Sequence, residues 1–505
     1  VTKIHKTKLA LLSATAFFTA TAAHAQVADT WTINDDVIVS SANTAAVTLD
    51  PVNLGNGSPA ISDPLIGGGF KNTISSSAVG ASASSSFSSL NNSGVGGDAT
   101  VVFNGGITVA AGNGAAVTQT NDVLTGAAVS GGSANSISLA AVGSSASVSG
   151  TTTVSDVGGA ATADETFSYT AGSIVVSSGA ADGAVETDQG TTVGGNDAAV
   201  SLLLDTSGFT APSIAGGSNN SISVAGVGSS ASASFTATVG GDGSELTSYD
   251  VTVADATISS ANSALGEVKV GLSDGGMSTP LIEGGNGNAI SAAAVGSAAS
   301  FSLASGTFGG AIITEYNATV GELAVDSFND GAVTLSTDGT DSAVKIDTAS
   351  VVGLGNSISA SAVGSSGSVS YANTVFDAGN GAAGGAVAFD AITVNSTNNG
   401  AIGNYAELTT SATIEEGSKN SISIAGVGAS ASQALSVTDY SALGVTGVAT
   451  TTGAITLTAF NTGAVSVAGG MTSPVITDGF SNSISAAAVG ASASQSVART
   501  LVGAQ

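Results

Sequence analysis

The stretch GFSNSISAAAVGASAS, Gly479 to Ser494, is one of seven copies of a single pattern in a chain of 505 residues. The copies centre on Asn72, Asn135, Asn220, Asn288, Asn356, Asn420 and Asn482. They occupy residues 67–84, 131–147, 216–232, 284–300, 353–368, 417–432 and 479–494. Ile follows two residues after each Asn and Ser comes next to it. Val stands seven residues after the Asn and is always followed by Gly (Gly80, Gly143, Gly228, Gly296, Gly364, Gly428, Gly490). A Ser closes each block twelve residues after the Asn. Such self-similarity is the signature of a repeat architecture and outranks any single motif.

Within the block, Asn-Ser-Ile-Ser alternates with period two, as a half-buried strand does. The Val-Gly step interrupts that alternation, and Ser-Ala-Ser resumes it. Gly at a fixed point in a strand signals a bulge, a tight bend or close approach of another backbone; at such a bend the Gly is expected to take a positive φ. The Asn is expected at a turn, because it tolerates the left-handed conformation and its amide bonds neighbouring backbone. Stacked in register, the seven amides would also form ladders, but the turn is the role expected.

A second, weaker motif precedes the first by 21 to 29 residues: NTAAVTL at Asn43, NGAAVTQ at Asn113, NSALGEVKV at Asn262, NDGAVTL at Asn329 and NTGAVSV at Asn461. Degenerate forms stand around Asp182 and Asn398. Between the two motifs, Pro64, Pro212, Pro280 and Pro474 each sit eight residues before their Asn. Proline lacks an N–H donor, so it marks a strand entry or an edge. Successive motif Asn residues are 63, 85, 68, 68, 64 and 62 apart; the 85 marks an insertion between Asn135 and Asn220, read as extra loop or strand pairs. The fold expected is all-β, a continuous array of about seven units over residues 26–505, and a β-solenoid rather than a string of small β-sandwiches.

Composition agrees with thin layers. The chain has 70 Gly, 4% aromatic residues and one Trp, yet is 42% hydrophobic, which disfavours disorder. Residues 1–25 carry Lys3, Lys6 and Lys8, then an apolar run, then Ala23-His24-Ala25, the order of a secretory signal peptide cleaved before Gln26. Beyond it remain five basic residues against 36 acidic ones and no Cys or His. A surface so acidic repels nucleic acid and anionic lipid, and no stretch after residue 25 has the length and apolarity of a membrane anchor.

That inventory closes His-dependent triads and Cys/His zinc sites in residues 26–505. Ser repeated in seven equivalent positions reads as packing or ladder material, Lys71 and Lys419 as surface charges, and no catalytic residue is expected. Calcium is the one cofactor the composition suggests, with Asp338-Gly-Thr-Asp341 and Asp242-Gly-Ser-Glu245 as candidate sites, although neither follows EF-hand or nonapeptide spacing.

The block Asn-Ser-Ile-Ser…Ala-Val-Gly…Ser-Ala-Ser resembles the head repeats of trimeric autotransporter adhesins, over about a dozen residues per unit. Those heads repeat on a shorter period, and this sequence ends RTLVGAQ instead of in barrel strands. In composition the chain is similar to surface-layer and extracellular-fibre subunits of Gram-negative bacteria. The resemblance implies a secreted, self-assembling structural protein of the cell surface or extracellular matrix. Its partners would be copies of itself, with the cell envelope or extracellular polysaccharide as further candidates. An adhesin recognising carbohydrate or another surface is the alternative.

Overall fold

A computed structural model of the chain describes residues 29–50, 63–91, 99–122, 126–155, 165–179, 185–186, 192–193, 195–204, 209–240, 245–273, 276–308, 312–337, 344–376, 384–408, 412–440 and 449–501. The seven repeats are seven coils of one parallel β-solenoid. The motif strands Thr73–Asn91, Ser136–Ser155, Ser221–Gly240, Ala289–Phe308, Ser357–Phe376, Ser421–Tyr440 and Ser483–Leu501 form a seven-stranded sheet in chain order. Each of the five inner strands pairs in parallel with the same strand of the coil before and after, and each of the two outer ones with its single neighbour. The pairing is in register, so Ile137 lies between Ile74 and Ile222, and Ser138 between Ser75 and Ser223. Among the described residues there is no helix, and hence none long and apolar enough to cross a membrane.

The fourth coil shows the path. Glu245–Val253 and Ala256–Asn262 lie in an eleven-stranded sheet, Val268–Gly271 in a seven-stranded sheet, and Leu281–Asn286 in another seven-stranded sheet. Ala289–Phe308 then closes the coil. The weaker motif is thus the corner between the first sheet and the second, and its Val starts the second strand. Val47, Val117, Val200, Val268, Val333, Ile402 and Val465 stack there in register. Pro64, Pro212, Pro280 and Pro474 each immediately precede a strand of the third sheet, at the strand entry that their missing N–H suits.

The break in alternation has a direct structural meaning. In Ser221–Gly240, Ile222, Val224 and Gly226 face inward, and so do Gly228 and Ser229, two consecutive residues. The phase has moved by one, and Ala231, Ala233 and Phe235 continue inward from there. One long strand therefore serves two apolar layers. Its first half packs with Val200, Ile214 and Val268, and its second half with Val176, Ile258 and Val253. Most of these side chains are small, but stacking makes each row continuous. Burying each Val, Ile or Leu contributes about 1.5–3 kcal/mol.

The insertion expected after Asn135 is a hairpin, Val185–Glu186 paired antiparallel with Thr192–Val193. Asp182 lies outside the described residues, and the Asn of this coil's weaker motif is Asn196, after the hairpin. The proposed signal segment, residues 1–25, also lies outside them.

Candidate interaction surfaces

The seven motif Asn residues form a ladder along the stack. The backbone N–H of Asn72 donates to Oδ1 of Asn135 at 3.0 Å, Asn135 to Asn220 at 3.0 Å, and Asn220 to Asn288 at 2.9 Å. The series continues through Asn356 and Asn420 to Asn482 at 2.8, 3.0 and 2.9 Å. Each Nδ2 also donates to the carbonyl four residues back, as Asn288 does to Gly284 at 3.2 Å, and so closes the preceding turn. The left-handed conformation expected of the Asn belongs instead to the residue before it: Lys71, Ala134, Asn219, Gly287, Gly355, Lys419 and Ser481. The turn is real, but a side-chain amide, not a strained Asn backbone, holds it. Lys71 and Lys419 themselves are exposed.

A second ladder runs through the interior. The amide of Asn43 donates to Oδ1 of Asn113 at 2.7 Å, and the pattern repeats through Asn196, Asn262, Asn329, Asn398 and Asn461 at 2.6–2.8 Å. Asn398 is thus a full member. These amides explain the motif Gly. A β-carbon on Gly80, Gly143, Gly228, Gly296, Gly364 or Gly428 would collide with Oδ1 of the ladder Asn of the next coil and with the next Gly carbonyl. None of the seven has a positive φ, contrary to expectation. Room for an Asn is what excludes a side chain.

Beside this ladder runs a chain of buried hydroxyls. Ser144 meets Ser178; then Ser229 bonds Ser178 at 2.8 Å, Ser260 bonds Ser229 at 2.9 Å and Ser297 bonds Ser260 at 2.9 Å. Ser327, Ser365 and Ser396 extend it at 3.0, 2.9 and 2.9 Å. The Asn and Ser rows separate the two apolar layers. The Asn amides bond from coil to coil, and the hydroxyl chain alternates between steps within a coil, as from Ser229 to Ser178, and steps between coils, as from Ser260 to Ser229. Ser260, Ser327 and Ser396 each stand two residues before a ladder Asn, a spacing that the sequence itself carries.

Two surfaces are candidates for partners. One is the outer face of the motif sheet. Ser75, Ser77, Val79, Ser82 and Ser84, with their equivalents, form rows of Ser, Ala and Val, and the Val row runs unbroken from Val79 to Val489. No charged residue stands in the first sixteen positions after any motif Asn. The other comprises the two ends of the stack. All four large sheets stop at the first and seventh coils, where Thr73–Asn91 and Ser483–Leu501 each pair on one side only. Leu65 and Phe70 are exposed at one end, and Phe460, Ile476, Phe480 and Val497 at the other.

Among the described residues no group of three or more His, Asp or Glu is placed to hold a metal ion. Asp242 to Ser244 and Asp338 to Asp341 lie outside those residues. The one ion pair described, Lys269 to Glu267 at 2.9 Å, is on the surface. No protein-family model, no curated protein and no solved structure matches the chain.

Proposed function

We propose that the chain is a self-assembling structural protein of the cell surface or extracellular matrix, a subunit of a layer, fibre or biofilm scaffold. The observation that carries this reading is the pair of open stack ends. Exposed edge strands template pairing with another chain, and stable monomers blunt or cover them. Here four sheets end open at both coils, and among the described residues nothing covers them. The inward-facing Asn and Ser rows are committed to internal ladders, which suits a stiff element. The acidic composition supplies control: a formal charge of −28 keeps copies apart until carboxylates are bridged or neutralised.

Electron microscopy with light scattering tests the proposal. The purified protein is dispersed in low salt with chelator, then forms ordered fibres or lattices with millimolar-scale calcium or on acidification towards the pI near 4.1. Calcium acting above sodium at equal ionic strength indicates bridging; equal effects indicate screening alone. A protein that stays dispersed throughout contradicts the proposal. A second reading, a surface-binding module, is favoured by the charge-free Ser and Val face, and binding to glycan without assembly would support it.

A further inference from the structure

We propose that copies of this chain join head to tail by continuing the solenoid, with Asn43 of one copy seated on Gly490 of the next. This rests on the assembly reading and names the surface and the partner. Six of the seven motif Gly residues receive a ladder Asn from the following coil: Asn113 on Gly80, Asn196 on Gly143, Asn262 on Gly228, Asn329 on Gly296, Asn398 on Gly364 and Asn461 on Gly428. Among the described residues Gly490 receives none. A β-carbon there would meet only Asn461 Nδ2, at 3.7 Å. Asn43, at the opposite end, is the one ladder Asn that occupies no such seat. One vacancy and one unseated Asn remain, on opposite ends of a single molecule.

The hydrogen bonds match in polarity. In each ladder the donor lies in the earlier coil and the acceptor in the later one. The seventh coil therefore ends on donors: Asn461 Nδ2, which bonds Gly463 in its own turn at 2.8 Å, and the N–H of Asn482. The first coil begins on acceptors, Oδ1 of Asn43, which takes the Ala45 N–H of its own turn at 3.3 Å and keeps a second lone pair, and Oδ1 of Asn72. A second copy placed by simple translation would meet donor with acceptor in both ladders, whereas two identical ends would meet donor with donor or acceptor with acceptor. Such a heterologous contact does not close on itself and grows as a filament.

The side chains agree. Two residues before the motif Asn, the five inner coils carry Ser133, Ser218, Asn286, Leu354 and Ser418, while the end coils carry Phe70 and Phe480, both 66% exposed. Continuation of the stack sets these two rings side by side. Charge permits the approach: described residues 449–501 contain one acid, Asp478, and one base, Arg499, so the first coil, with Asp29, Asp35, Asp36, Asp50 and Asp63 against Lys71 among its described residues, meets an end with no net charge.

The test uses two full-length variants. Gly490→Val blocks the seat at one end, and Asn43→Ala removes the occupant at the other; both keep the wild-type melting temperature within a few degrees. Under conditions where wild type forms filaments, each variant alone remains monomeric by light scattering and microscopy. Mixed in equal amounts they form dimers and stop, since one sound end of each kind remains. Filaments from either variant alone, or monomers in the mixture, overturn the head-to-tail joint while leaving self-assembly standing. Wild type that never assembles, its ends taken by another segment of the chain or by a different protein, overturns both.

Discussion

Oδ1 of Asn329 lies where a β-carbon on Gly296 would stand, well inside the 3.0 Å that real side chains keep. The two residues belong to different coils and different sheets. Neither motif explains itself alone, because the Gly of one coil exists to make room for the Asn of the next. The same pairing recurs at six levels of the stack and ties the two sequence motifs into one construction.

Gly296→Ala therefore destabilises the protein by about 1–3 kcal/mol, the usual cost of overpacking a tight interior. Gly490→Ala, at the level with no following coil, is neutral or stabilises by about 0.4–1 kcal/mol through the unfolded chain. Thermal or denaturant unfolding of the pair checks this. Equal losses in both variants would show that the Gly answers a backbone need common to all coils.

Removing an inner rung of the second ladder orphans three partners. Asn262→Ala leaves Asn196 Nδ2, Asn329 Oδ1 and the Gly266 carbonyl without the bonds they make at 2.8, 2.7 and 2.6 Å. Each orphaned buried group costs about 1–3 kcal/mol. Asn43→Ala, at the end of the ladder, loses one ladder bond and one exposed bond from the Ala45 N–H, and costs less. Urea titration should rank Asn262→Ala as clearly the more damaging.

The hydroxyl chain makes a similar contrast. Ser297 donates to Ser260 and accepts from Ser327, whereas Ser302 lies on the outer face of the same strand. Ser297→Ala costs about 1–2 kcal/mol, and Ser302→Ala stays within about 0.5 kcal/mol of wild type. Matching melting temperatures for the two would remove the hydroxyl chain from the account of stability.

One inward position departs from the pattern. Gln433 is buried at 2% exposure with neither amide atom bonded, in a row where the four coils before it place Val148, Ala233, Phe301 and Val369 and the last coil places Gln495. Gln433→Leu removes the unsatisfied amide and keeps the volume, so the melting temperature rises. A fall would mean that the amide is satisfied in solution.

The sequence made the array, its seven units and its strands legible because each row repeats one residue type. Ile at the second position and Ser at the third after each Asn announce alternation, and the Val-Gly step announces the phase change. The reason for the Gly was not legible, since it lies in the contact between Gly296 and Asn329, residues 33 apart that only coiling brings together. Asn196 was hidden by the hairpin, which separates it from Ser178 and offers a competing Asp-Gly-Ala-Val text at Asp182. The mating ends were hidden for a different cause: Asn43 and Gly490 look like any other member of their rows until the ladders are drawn and each is seen to lack its neighbour.

The central claim is that the solenoid continues from molecule to molecule as it does from coil to coil. Helical reconstruction of the assembled filaments by electron microscopy tests it most directly. Coils stacked as hydrogen-bonded strands are about 4.7–4.9 Å apart. Seven coils per copy then give an axial rise of about 33–34 Å per subunit, with every strand perpendicular to the filament axis. A rise of that size, with an unbroken strand repeat across the junction, is the result expected. A rise unrelated to the coil spacing, or filaments whose strands run along the axis, would contradict the account.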